Sequence, residues 1–226
     1  MHPSAMNNAD MFFKNYASHF PDNCRVVDIG AQDVNGSIRS VCPTHFEYIG
    51  VDFCAGKGVD VVINDPYALP FENGFADIVV SSSCFEHSEF FWLVFIEIMR
   101  CLKPHGLFYL NAPSTGTFHR YPVDCWRFYP DSALALAKWG GRHGFNCAVL
   151  ESYTQVGGQF NDFVAVFIRD TTFAKAYTQK ILDKKVDFEN GTVYGEQKFR
   201  NPRDLTEHER RMSVIARIAN GTISVR

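Results

Sequence analysis

Several features that would define common protein classes are missing from this 226-residue sequence. Its seven cysteines (Cys24, Cys42, Cys54, Cys84, Cys101, Cys125 and Cys147) are odd in number and contain no CxxC pair. This pattern excludes a disulfide framework or a zinc knuckle and implies free thiols in a reducing compartment. No apolar run approaches the roughly 18 residues of a membrane-spanning helix. The opening MHPSAMNNADMFFKNY has no basic stretch followed by an apolar one, so no signal peptide is expected and the location reads as cytoplasmic. No GxGxxG follows an apolar strand, which disfavours a nicotinamide dehydrogenase. There is no basic surplus either: the net charge is −3, which argues against a general nucleic-acid or membrane-surface protein.

What is present suits one well-packed domain. The apolar fraction is 46%, and 21 phenylalanines lift the aromatics to 15%. Charge is unevenly placed. Residues 1–168 carry 10 basic and 17 acidic residues, whereas 169–226 carry 12 and 8. A mildly acidic body is followed by a mildly basic tail.

Apolar runs alternate with helical patterns. RVVDIG (25–30), FEYIGVDF (46–53), VDVVIND (59–65), FADIVVSSS (75–83), HGLFYLNAP (105–113), FNCAVLESY (145–153) and DFVAVFIRD (162–170) read as seven strands. GSIRSVCP (36–43) predicts one or two helical turns stopped by Pro43. EFFWLVFIEIMRCLKP (89–104) and DSALALAKWGGRHG (131–144) predict helices, the second with Asp131 as N-cap. The alternation predicts an α/β fold with a doubly wound, seven-stranded, mostly parallel sheet and an antiparallel final hairpin. Residues 1–170 form the expected domain. Residues 171–226 are expected to be a polar, basic, partly helical appendage, with helical windows at FAKAYTQKILDKK and LTEHERRMSVIARIAN.

In an open α/β sheet, ligands bind at the carboxyl ends of the strands. Asp28, Asp52 and Asp65 end the first, second and third predicted strands. A carboxylate after the second strand suits ribose hydroxyls. Asp77 reads as structural, and Phe90, Phe91 and Trp92 as helix core.

VVDIGAQDVNG, YIGVDF, DPYALPFENGFADIVVSSSCFEH and IMRCLKPHGLFYLNAP, in this order and spacing, resemble the motifs of class I S-adenosylmethionine-dependent methyltransferases over roughly residues 20–170. The resemblance implies S-adenosyl-L-methionine as cofactor. It places Asp28, Gly30, Ala31 and Gln32 in the loop under the methionine part. Asp52 and Phe53 fall at the ribose, Asp65, Pro66 and Tyr67 at the adenine, and Ser81 and Ser82 beneath the sulfonium. Glu86 and His87 match an acid–histidine pair of a small-molecule subgroup. Two positions depart from the pattern. Gln32 and Val34 replace glycines, with Asn35-Gly36 left to supply the turn. Pro66 lacks the N–H that would meet the adenine.

The loop NAPSTGTFHRYPVDCWRFYPD (111–131) follows the fifth strand and is rich in cations and rings. His119 joins Glu86 and His87 as a candidate catalytic residue, because histidine can take a hydroxyl proton near neutral pH. Arg120, Tyr121, Trp126, Arg127 and Tyr129 are the candidate acceptor-binding residues, since rings stack and guanidinium forks match anions. The alternative is that Trp126, Phe128 and Tyr129 pack the loop while Arg127 pairs with Asp124. HRYPVDCWRFYPD also resembles the loop of methyltransferases associated with bacterial polysaccharide and glycoconjugate synthesis. The expected partner is a small-molecule acceptor, a sugar or nucleotide-sugar foremost, with a homodimer left open and neither membrane nor nucleic acid expected. No His/Asp/Glu cluster with metal-ligand spacing is evident, so no metal is expected. N-, RNA- or protein methylation, and a degenerate fold serving as a binding module, are the competing readings.

Overall fold

The computed structural model describes residues 2–157, 160–203 and 207–224. Eight strands form one sheet: β1 (Arg25–Ile29), β2 (Glu47–Asp52), β3 (Val61–Val62), β4 (Ala76–Ser82), β5 (Leu102–Pro113), β6 (Ala148–Gln155), β7 (Asp162–Ile168) and β8 (Phe188–Val193). The order is β3-β2-β1-β4-β5-β7-β6-β8. β1 to β5 pair in parallel, β7 is antiparallel between β5 and β6, and β8 adds antiparallel to β6. This is the doubly wound architecture that the alternation predicts, with one strand more than the seven expected.

The period of two along each strand sorts the core into two layers. Val26, Ile78, Val80, Leu107, Tyr109, Val164 and Val166 face one side, where helix α1 (Pro3–Tyr16) supplies Ala9, Phe12, Phe13 and Tyr16. Val27, Val79, Phe108, Leu110, Ala165 and Phe167 face the other, against helices α2 (Phe91–Cys101) and α3 (Pro130–Arg142). Lys103 and Pro104 do not end α2. The helix stops at Cys101, and both residues lie in β5. The α3 N-cap is Tyr129, with Pro130 at the first helical position, where its missing N–H costs nothing. The predicted turns at 36–43 reduce to one 3-10 turn over Ile38–Ser40.

The largest departure concerns the tail. FAKAYTQKILDKK does not form a helix: it makes 3-10 turns at Thr171–Ala176 and Ile181–Asp183. Ala174, Tyr177, Ile181, Leu182, Phe188 and Val193 are buried with α1 on the first face of the sheet. The backbone bends so that the Ile181 and Leu182 amides reach the buried Glu151 carboxylate, at 2.9 and 3.0 Å. A regular helix could not direct both inward amides to one side chain while burying those rings. Residues 171–193 therefore belong to the core. Helix α4 (Glu207–Ala219) lies beyond them and is solvent-exposed. Among the described residues, no helix is long and apolar enough to cross a membrane.

Candidate active site

The carboxyl ends of β1, β2 and β4 open into one cavity of about 660 Å³, closed on its far side by the segment after β5. Gly30 begins its floor. Its φ of +82° favours glycine, and a Cβ there would fall 2.6 Å from the Cβ of Cys84. The Gly30 and Ala31 amides both donate to the Val51 carbonyl, at 2.9 and 3.1 Å, which ties the loop to β2.

The missing glycines are explained locally. Asp33 Oδ1 accepts the Gly36 N–H at 2.8 Å, and Oδ2 pairs with Lys57 at 2.6 Å, which holds this carboxyl below its usual range. Gly36, at φ +118°, makes the left-handed turn that the motif usually makes earlier. Gln32 needs no such freedom. It lines the cavity, and its amide lies over Gly56, where a Cβ would sit 2.7 Å from Nε2.

Asp52 stands on the wall, 8% exposed. Its two oxygens accept from Gln32 N at 3.2 Å and Cys54 N at 3.1 Å. Each oxygen keeps a lone pair for a further donor, as ribose hydroxyls require. Phe53 is half-exposed beside it, and Pro66 and Tyr67 continue the wall. Ser82 also faces the cavity, and its buried Oγ has no partner among the described residues.

Four expected cofactor residues lie elsewhere. Asp28 is buried behind the wall and accepts from Tyr48 Oη at 2.6 Å, and burial pushes its carboxyl up to about 7. Ala31 packs under Gly50. Ser81 donates to the Ile29 carbonyl at 2.8 Å, stitching β4 to β1. Asp65 is exposed and accepts the Tyr67 N–H at 2.8 Å, so Asn64 holds the wall position beside Pro66.

The acceptor end is built from the turn after β4 and the loop after β5. Glu86 and His87 lie on a 3-10 turn, Phe85–His87, whose Glu86 carbonyl accepts Cys125 N and Trp126 N. The His87 Nδ1 meets the Val123 carbonyl, and its Nε2 lies 3.7 Å from Glu86 Oε1. A carbonyl only accepts, so Nδ1 carries the proton and Nε2 presents a lone pair. Burial lowers the His87 pKa, which favours the neutral ring. Glu86 is 1% exposed, burial raises its carboxyl to about 8, and Oε2 has no hydrogen-bond partner among the described residues. His119 stacks edge-on to His87 with centroids 5.0 Å apart. Ligand atoms of Glu86, His87 and His119 lie within 4.8 Å of one another, a cluster that their sequence spacing does not reveal.

The acceptor candidates divide. Tyr121 lines the cavity. Arg127 does not: it holds Asp124 through two bonds of 2.6 and 2.9 Å, with that carboxyl lowered to about 2 chiefly by this pairing. Trp126 packs against Phe91 and Trp92 and donates to the Ser88 carbonyl at 2.9 Å. Tyr129 caps α3, and Arg120 is exposed outside the cavity. Asp77 is buried at the start of β4 and accepts from Lys103 and the Arg25 amide. His2, Ser83, Cys84, Phe160 and Asp162 line the cavity without having been singled out in the sequence. The apolar spacing 5, 9, 12, 13, 16 that marks α1 would have pointed to His2 beside it.

These features accommodate a nucleoside with a charged tail: an open carboxylate after β2, a flat aromatic and proline wall, and a glycine floor. Comparison with known proteins agrees. Residues 14–110 match the model of a methyltransferase domain. No curated protein matches the sequence. Among solved structures, the 1,6-didemethyltoxoflavin-N1-methyltransferase of Burkholderia thailandensis, with 1,6-didemethyltoxoflavin and S-adenosylhomocysteine bound, is similar at TM-score 0.55 and 14% identity, over 74% of this chain and 79% of that one. The PH0226 protein of Pyrococcus horikoshii is similar at 0.52 and 16%, over 74% and 89%. The [4+2]-cyclase SpnF is similar at 0.52 and 12%, over 73% and 81%. Residues 14–110, less than half of the chain, are thus similar to a methyltransferase domain, and the fold is the one that these solved methyltransferases share. At these identities the likeness extends to the fold, and the SpnF cyclase shows that one fold can host another reaction.

Proposed function

We propose that this protein methylates a hydroxyl of a small polar acceptor, a sugar or related metabolite, with S-adenosyl-L-methionine as donor. The observation that carries the reading is the placement of His87, whose Nδ1 meets the Val123 carbonyl and whose ring lines the same cavity as the Asp52 carboxylate. Asp52 holds the ribose, Gly30 and Gln32 border the methionine part, and Asn64, Pro66 and Tyr67 flank the adenine. The cofactor supplies an activated methyl group: the acceptor oxygen forms its bond to carbon as the carbon–sulfur electron pair returns to sulfur.

The protein's work is alignment and proton removal. His87 Nε2 takes the hydroxyl proton. The Val123 carbonyl fixes the ring, and Glu86 stands 3.7 Å from the nitrogen that receives the proton. His119 and Tyr121 border the acceptor. Because Arg127 is occupied by Asp124, a plain sugar hydroxyl is favoured over a nucleotide-sugar phosphate. Calorimetric titration with S-adenosylhomocysteine, followed by screening sugars and nucleotide-sugars for its release from S-adenosylmethionine, tests the reading. Micromolar binding with turnover on a hydroxyl acceptor is expected. Folded, ligand-free protein that binds neither cofactor form would leave the binding-module reading in its place.

A further inference from the structure

We propose that Glu86, His87 and His119 form a three-ligand site for a divalent transition-metal ion at the acceptor end of the cavity. The inference rests on reading that end as the acceptor's seat, and it adds the class of ion that would occupy it.

The donor set is two imidazoles and one carboxylate, with ligand atoms within 4.8 Å of one another. Ligands on a common ion with bonds of about 2.0–2.2 Å stand roughly 3.3 Å apart; Glu86 Oε1 and His87 Nε2, at 3.7 Å, are close to that, and no spacing in the cluster exceeds 4.8 Å. His87 and His119 are already edge-to-face at 5.0 Å.

Each ring is also oriented from behind, as metal-bound histidines usually are. His87 Nδ1 meets the Val123 carbonyl. His119 Nδ1 lies 3.1 Å from the Thr117 carbonyl and 3.5 Å from Asp124 Oδ2. All three neighbours only accept, so each Nδ1 holds its proton and each Nε2 keeps a lone pair. Asp124 is in turn held by Arg127, so the support behind His119 is itself fixed.

The independent observation is Glu86. It is 1% exposed, and its Oε2 has no hydrogen-bond partner among the described residues. A buried carboxyl oxygen left unpaired is costly, and a cation that displaces the acid's proton would satisfy it.

Two histidines and one carboxylate with open positions suit iron(II), cobalt(II), manganese(II) or zinc(II). The open face is the cavity, where an acceptor hydroxyl would bind the ion and release its proton to solvent. In the loaded protein, His87 Nε2 is then a ligand, and the ion takes over the task of acidifying the hydroxyl.

Cobalt(II) is the probe, because its visible bands report the donor atoms and it is less drawn than zinc to the seven free cysteines. Full-length protein is titrated by calorimetry and absorption at neutral pH, with S-adenosylhomocysteine affinity measured in parallel. One equivalent at micromolar affinity or better is expected, with bands of a nitrogen–oxygen set. His87→Ala, His119→Ala and the isosteric Glu86→Gln should each weaken it at least tenfold, while His143→Ala, on the surface of α3's end, should not. Absence of binding at millimolar cobalt, affinity indifferent to all three changes, or a thiolate charge-transfer band would overturn the site. If cobalt binds through the three residues but S-adenosylhomocysteine does not bind, the metal site stands and the methyl-transfer reading fails.

Discussion

Glu151 and Glu86 are the same residue in the same degree of burial, 0% and 1% exposed. Glu151 on β6 accepts from Tyr16 Oη of α1 and from the amides of Ile181 and Leu182 in the tail. Glu86, facing the cavity, lies 3.7 Å from His87 with one oxygen and has no partner for the other. The difference is not burial but satisfaction. A buried acid with both oxygens engaged is architecture. A buried acid with a lone pair left open toward a cavity is available for chemistry.

The largest expected effect is on the architectural acid. Glu151→Ala removes the acceptor for three buried donors and should cost about 3–5 kcal/mol of stability, read as a large drop in melting temperature. Truncation after residue 170 should collapse the melting transition, because it removes two of those donors and a strand. A truncated protein that melts as the full chain does would return the tail to the status of an appendage. His87→Ala should lower turnover roughly 10²- to 10⁴-fold while leaving S-adenosylhomocysteine affinity within about twofold. Retained turnover would move proton removal to His119 or water. Asp52→Ala should weaken S-adenosylhomocysteine more than about tenfold in calorimetry with the melting temperature nearly kept, as two lost hydrogen bonds of about 1 kcal/mol each imply.

A third buried acid gives the pH test. Burial raises Asp28 to about 7 in the folded chain, whereas an unfolded aspartate titrates near 3.9. Between those values the folded state binds more protons, so the Asp28 contribution to stability falls as pH rises from about 4 to 7. Asp28→Asn should flatten that part of the curve. An identical pH dependence of melting in the variant would refute the assignment. The smallest effect is expected for truncation after residue 203, which removes exposed α4 and its Arg210–Glu189 ion pair and should shift stability by less than about 1 kcal/mol.

The strand pattern carried most of the fold in plain view, because buried strands announce themselves as Val/Ile/Phe runs. The tail escaped because its inward residues, Tyr177, Ile181, Leu182 and Phe188, are spaced among lysines at a near-helical interval, and only the partner Glu151 shows that the chain bends there. Asp52 and the Glu86–His87 pair were legible by position after strands. Asp65 and Arg127 were not. Asp65 turns back onto its own loop, and Arg127 has a neighbouring acid at i−3, a pairing that the sequence raised as an alternative but could not choose. The Glu86–His87–His119 convergence depends on the path of the loop between β5 and α3, which no spacing rule encodes.

The bond from Tyr16 to Glu151 spans 135 positions, and Glu151 reaches on to Ile181. The first helix thus has its seat completed by nearly the last strand of the sheet. During synthesis α1 must wait, its rings uncovered, until the chain past residue 190 has emerged. Closure of this face is therefore a late, long-range step, slow by topology and exposed to aggregation while it is pending.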